Sequence, residues 1–337
     1  MIGNSQVARN NRLAITVLLI TAAFVVADLT YSGGSHVSFA PRNFVDLAKA
    51  MATMAAIYVA MVFVDWRIAG DNTKVARVLR RGSDGAKALA GNTALFLPLA
   101  FASVYLMYLV ADTQRPLMDE SLANIDAAIG FRWRDFLDLA NAHPVIARAL
   151  VFAYHSMGPQ LPILFIVLAF SNGGQRLTEF VTMLAVSSAL TATAMAMVPA
   201  AGTYAYFQPL AEDFSNFTAR AGMWHYEELM RLRSDEPVNL LVSRAEGLTT
   251  FPSFHTVLAI IVVYALRFIP VLAWPLGLLN AVMIVSTMPE GGHHLVDVLA
   301  GATVALLTVA AVRLIQSPAF LDDKRQSSTN RPVDDHP

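Results

Sequence analysis

Phe251-Pro252-Ser253-Phe254-His255 stands at the head of a strongly apolar run, 252–269. About forty residues later Gly291-Gly292-His293-His294-Leu295-Val296-Asp297 heads another, 294–315. Each places a histidine where a polar loop gives way to a stretch that can become a membrane helix, which takes about 20 mostly apolar residues. His293 and Asp297 are four apart, so both fall on one face of the helix that begins there.

Working outward, comparable runs recur at 13–29, 44–64, 88–111, 145–170, 177–200 and 271–288. That gives roughly eight spans, with six or seven compatible with the same pattern. The run 145–170 carries Pro159 and Pro162 and is expected to kink, or to end and restart. The chain is 55% apolar and 15% charged, with a mean hydropathy of +0.50. Soluble domains run at about 45–50% and about 25%. The expected fold is therefore an all-α, polytopic transmembrane helix bundle of about 6–8 spans. The first run follows Arg9 and Arg12 as a signal peptide would, but its flank Ala27-Asp28-Leu29-Thr30 offers no small-x-small cleavage site and reads as a span.

A formal net charge of −1 gives no basis for a nucleic-acid partner. With no cysteine, disulfides, thiolate zinc sites and cysteine nucleophiles are excluded. Arg67, Lys74, Arg77, Arg80, Arg81 and Lys87 gather between the second and third runs, and Arg9, Arg12, Arg313, Lys324 and Arg325 fall on the same side. The positive-inside tendency makes that side cytoplasmic, with both termini inside. The loops 112–144, 201–251 and 289–292 then face outward and bring His255 and His293 to one membrane surface. Apolar residues recur at near-helical spacing in 112–144, as amphipathic surface helices would require. The aromatics of 201–251 read as an interfacial belt or as a cap over the site. Three parts follow: 1–87 with N-terminal helices and a basic loop, 88–315 with the remaining helices and both histidine stretches, and 316–337, a polar tail expected to be disordered.

Two histidines, one with a carboxylate behind it, at one membrane face are parts for covalent phosphoryl transfer. At these stretches the sequence resembles the type-2 phosphatidic acid phosphatase superfamily, whose second motif reads Pro-Ser-Gly-His and whose third reads Ser-Arg, five residues, His, three residues, Asp. Here the second is Pro252-Ser253-Phe254-His255, with Phe for Gly. The third is Ser286-Thr287, then His293 and Asp297 at the same spacing, with Thr for Arg. Arg115-Pro116 matches the end of the family's first motif, with Tyr108 where a Lys would stand. Phe-Pro-Ser-x-His, Gly-x-His-x-x-x-Asp and the following Ala300-Gly301 look most like the branch containing inositol phosphorylceramide synthases.

The resemblance implies a six-helix catalytic core and a site in which His293 is the nucleophile, Asp297 orients it and His255 is the general acid and base. Ser253, Arg115, Arg244, Ser286 and His294 are the candidate substrate-binding residues, and neither a metal nor another cofactor is implied. The implied partners are membrane lipids: a phospholipid donor and a lipid alcohol or water as acceptor. The implied activity is transfer of a phospho-head group onto a lipid alcohol. A lipid phosphate phosphatase of the same superfamily is the alternative, and a non-catalytic transporter or scaffold is the alternative from another class. The expected setting is a bacterial inner membrane with the site facing the periplasm. Tyr154 and His155, ionisable groups at membrane depth, are further candidates, with a buried polar network shared with Arg148 as the plainer reading.

Overall fold

The computed structural model describes residues 2–171, 174–218, 220–234 and 236–317. The polar tail expected from 316 lies outside them beyond Ser317. In hydrocarbon no water can satisfy backbone N–H and C=O groups, so apolar runs close their hydrogen bonds internally as helices. Among the described residues thirteen α-helices result: α1 (Ile2–Ser32), α2 (Pro41–Arg67), α3 (Lys74–Ala111), α4 (Asp119–Ala128), α5 (Trp133–Asn141), α6 (Pro144–His155), α7 (Met157–Phe170), α8 (Gln175–Met197), α9 (Thr203–Phe207), α10 (Arg220–Leu232), α11 (Phe254–Ala265), α12 (Pro270–Ser286) and α13 (Leu295–Gln316). The protein is an all-α, polytopic integral membrane protein.

Five of these helices are long and apolar enough to cross a bilayer, namely α1 from Gln6, α2, α3, α8 and α13, and six if α5 and α6, bent by 110°, count as one span. The sequence pattern suggested roughly eight. The difference lies in α7, α11 and α12, apolar helices of 14, 12 and 17 residues. At about 1.5 Å per residue α11 is only about 18 Å long, short of a hydrocarbon core of about 30 Å. The run 145–170 breaks at Ser156, which caps α6 and starts α7. Pro159 supplies no backbone N–H for the His155 carbonyl at the end of α6, so the ladder is not carried on there. The expected interruption is present.

α3 opens on Thr73, whose hydroxyl accepts from the Ala76 N–H at 3.2 Å. Its 38 residues reach about 57 Å, well beyond the bilayer. α8, α11 and α13 form the centre of the core, where Phe180, Met183, Val257, Ile261, Ala305 and Val312 are buried together. α2 rests on α3 and has no fully buried residue except Asn43. At the basic end, Arg267 holds Glu179 at 2.8 Å, and Lys87 pairs with Asp65 and Asp84.

The expected amphipathic surface helices are α4 and α5. α5 turns Trp133, Leu137 and Ala140 inward at helical spacing. A short parallel pair, β1 (Val37–Phe39) and β2 (Val238–Leu240), aligns Val37 with Val238 and Phe39 with Leu240. Asn43 locks it, donating to the Leu240 carbonyl at 2.8 Å and accepting from the Val242 N–H at 3.0 Å. The α1–α2 connection is thereby tied to the chain that leads into Phe251.

Candidate active site

His293 sits in the loop between α12 and α13. The carbonyls left over at the end of α12 and in the turn after it need donors, and the surface helices supply them. Trp133 Nε1 donates to the Met288 carbonyl at 3.0 Å, the Tyr204 hydroxyl to the Pro289 carbonyl, and Thr203 N to the Gly292 carbonyl at 2.9 Å. Burial, with Glu290 nearby, pushes the Tyr204 hydroxyl far above its ordinary range, so it remains a donor. Gly292 adopts a φ of +70°, a conformation that a side chain would strain. The turn is therefore held from above by α5 and α9.

The first turn of α13 is fixed from the side. Asp126 on α4 accepts from the N–H groups of Leu295 and Val296, both at 2.9 Å, a carboxylate at a helix N-terminus. Asp297 accepts from His294 N at 2.8 Å, and its Oδ2 lies 3.4 Å from His293 Nδ1. That contact leaves Nε2 of His293 as the nitrogen turned from the carboxylate. The buried His294 ring lies between Asp119 (3.7 Å) and Asp126 (3.6 Å). Asp119 in turn accepts from Ala201 N and Gly202 N.

His255 enters from the first turn of α11. Ser253 caps that helix and donates its N–H to the Asp297 carbonyl at 3.0 Å, joining the two motifs through the backbone. α11 and α13 cross closely because Gly301 has no side chain: a Cβ there would stand 2.4 Å from the Ser253 carbonyl oxygen. The His255 ring stacks on Tyr154 of α6, with centroids 4.5 Å apart and planes 21° apart.

His255, His293, Tyr154, His155 and His225 all border one cavity of about 1160 Å³. His155 Nε2 pairs with Glu290 at 2.9 Å, and Glu290, fully buried, also accepts from Thr218 N at 3.0 Å. The polar partner of His155 is thus Glu290, while Arg148, the partner read from the sequence, is exposed. His225 on α10 has Nδ1 3.1 Å from the Gly247 carbonyl and Nε2 2.5 Å from the Thr250 hydroxyl. A carbonyl can only accept, so Nδ1 carries the proton and Nε2 accepts from Thr250. Burial lowers the pKa of His225, opposed in part by the bond to Gly247.

Residues 120–311 match the family model of the PAP2 superfamily. That is more than half of the 337-residue chain, and it holds both histidine motifs and Asp297. The chain belongs to the PAP2 superfamily. Members of the PAP2 superfamily are phosphatases or phosphotransferases. A search of curated proteins finds no match, and neither does a search of solved structures. The superfamily match begins within α4, so α1, α2 and α3 lie outside it.

The structure brings together the expected catalytic residues: His255 and His293 on the cavity wall and Asp297 directly behind His293. It does not bring the expected binding residues to that wall. The Ser253 hydroxyl accepts from Thr256 at 3.1 Å, and Ser286 is fully buried and donates to the Met283 carbonyl. Arg115 donates to the Ala196 carbonyl at 2.6 Å, and Arg244 is exposed. Neither borders the cavity, and neither does His294. Thr287, in place of the family's Arg, is also buried, while Tyr108, in place of its Lys, lines the cavity. Among the described residues no three His, Cys, Asp or Glu side chains converge as a metal site would require.

The sequence reading missed His225 and Glu290. An acid in the short turn between two apolar runs is the signal that points to Glu290. His225 has only its aromatic neighbours Trp224 and Tyr226 to mark it.

Proposed function

We propose that this protein is a membrane lipid phosphotransferase that moves a phospho-head group onto a lipid alcohol through a phosphohistidine on His293, in the manner of inositol phosphorylceramide synthases. One observation carries the reading: His255 and the Asp297-backed His293 face the same cavity, whose remaining wall is largely apolar. Nε2 of His293 attacks phosphorus and forms the P–N bond as the bond from phosphorus to the donor's leaving oxygen breaks. Protonated His255 gives its proton to that oxygen. The acceptor hydroxyl then loses its proton to His255 and attacks phosphorus, and the P–N bond breaks. Asp297 holds the proton on Nδ1 of His293 and stabilises the cationic ring. Phe254 and Thr287, standing for the Gly and Arg of the phosphatases, support the transferase branch. From the distribution of Lys and Arg we place the site on the outer face and both termini in the cytoplasm, and we propose a bacterial inner membrane as the setting.

The test is purified protein in nanodiscs with a labelled phospholipid panel, with and without ceramide or diacylglycerol. Wild type is compared with His293→Ala, His255→Ala and Asp297→Asn. The expected result is a new acceptor phospholipid, abolished by both alanine variants and reduced roughly 10²- to 10⁴-fold by Asp297→Asn. Free phosphate alone, with the same mutant pattern, would make it a phosphatase. Turnover untouched by the histidine substitutions would overturn the phosphohistidine, and no turnover on any lipid would favour a transporter or scaffold.

A further inference from the structure

The cavity does not end at the histidines. α3 lines it from Tyr108, whose hydroxyl bonds the backbone of Glu246, down to Ala86, a length of about 33 Å at 1.5 Å per residue. That matches the whole hydrocarbon core of about 30 Å, twice the depth of one leaflet. The facing wall is Leu161, Pro162, Phe165 and Ile166 of α7, and Met54 and Ile57 of α2 close the side. Its volume of about 1160 Å³ exceeds the about 300–1,000 Å³ usual for small-molecule pockets.

At the far end α3 packs closely on its neighbours. A Cβ on Gly85 would stand 2.3 Å from the Phe170 ring, and a Cβ on Gly174 would stand 2.3 Å from that of Ala88. α3 therefore meets the end of α7 and the start of α8 on either side of Ala86, where its share of the lining ends. Lys87, with Asp65 and Asp84, marks the polar boundary at that level.

We propose that this chamber holds the hydrocarbon of the lipid substrate as one extended chain reaching past the bilayer midplane, with the length of the α2 and α3 walls setting the chain-length preference. The proposal rests on the reading that the histidines act on a lipid-linked phosphate. A chain leaving the bilayer for this chamber gains little from the hydrophobic effect, because lipid tails are as apolar as the wall. Selection then comes from fit. A short chain leaves part of the wall without contacts, and an overlong one runs past the end of the wall at Ala86. The α2 and α3 walls lie outside the superfamily match, so this preference belongs to this chain's own N-terminal helices.

The test uses full-length protein in nanodiscs and two linear alkyl phosphates, hexadecyl and triacontyl, each with a diazirine at the chain end. Labelled residues are mapped by mass spectrometry after illumination, and phosphoryl transfer is measured on the same samples. The triacontyl probe is expected to label Ala86 and Leu89, and the hexadecyl probe residues partway down α3, near Thr93 and Leu97. Ala86→Phe is expected to move the triacontyl label up toward Thr93. Thr93→Phe provides a second obstruction should Ala86→Phe fail to purify as a monodisperse species. Labelling confined to lipid-facing positions such as Trp274 and Leu278, or labelling independent of chain length, would overturn the chamber. Chamber labelling in a protein that also shows no turnover on the phospholipid panel, with or without acceptor, would uphold the chamber and overturn the enzymatic reading.

Discussion

The Tyr154 ring lies nearly flat on the His255 imidazole, 4.5 Å between centroids. Tyr154 comes from α6, which the bend after α5 turns back across the site, and Gly291 leaves room for it: a Cβ there would stand 2.8 Å from Tyr154 Cε2. The stack fixes the plane in which His255 can give and take a proton. Tyr154→Leu is expected to lower kcat about 2- to 10-fold, the weight of an aromatic stack of about 0.5–1.5 kcal/mol. KM should move less. Tyr154→Phe keeps the ring and should stay close to wild type. Steady-state kinetics of the three proteins decide the matter, and equal losses in Leu and Phe variants would exclude stacking as the cause.

Asp126 carries two jobs: it caps α13 and stands beside His294. Replacing a capping side chain with Ala costs about 1 kcal/mol, and stranding buried N–H groups adds about 1–3 kcal/mol. Asp126→Ala should therefore lower the thermal unfolding midpoint clearly and reduce activity, with Asp126→Asn intermediate. An unchanged midpoint for the alanine variant would mean that the α4–α13 bond is not a stabilising contact.

Gly301 allows α11 and α13 to cross at the point where the two histidine motifs meet. A methyl there would meet the Ser253 carbonyl at 2.4 Å and the Thr256 side chain at 3.1 Å. Gly301→Ala should cost about 1–3 kcal/mol of stability through overpacking and lower activity about tenfold or more by displacing His255 from His293. Gly277→Ala, whose Cβ would meet only Val263 at 3.8 Å, is the neutral control. Equal activities in the two variants would sever the link between this crossing and catalysis.

How much of this could be read beforehand depends on where each contact lies along the chain. His293 and Asp297 are four apart on one helix start, so their relation is local and visible in the sequence. His255 is visible because it heads an apolar run. Tyr154, Glu290 and His225 reach the site from α6, from the 289–292 turn and from α10, and only the tertiary fold sets their distances. The span count falls at the low end of the expected range because apolar character does not report length: α7, α11 and α12 are apolar but shorter than the other candidate spans. Arg115 and Arg244 illustrate the reverse case. Their motif position or loop suggested a phosphate clamp, but one guanidinium is bound to the Ala196 carbonyl and the other faces solvent.

His225 makes the pH dependence of stability specific. Burial holds its folded pKa below the ordinary 6.5, with His293 pushing in the same direction and Asp119 against it. As pH falls through 6.5 the unfolded chain takes up a proton that the folded chain refuses. Bound protons are then more numerous in the unfolded state, so stability rises with pH across this window and is lost on acidification. His225→Phe forfeits the bonds to Gly247 and Thr250 and should be less stable at neutral pH, but its melting temperature should fall less than that of wild type between about pH 8 and about pH 5. Parallel curves for the two proteins would show that acid sensitivity originates in other groups, and that the ring of His225 is not kept neutral by its burial.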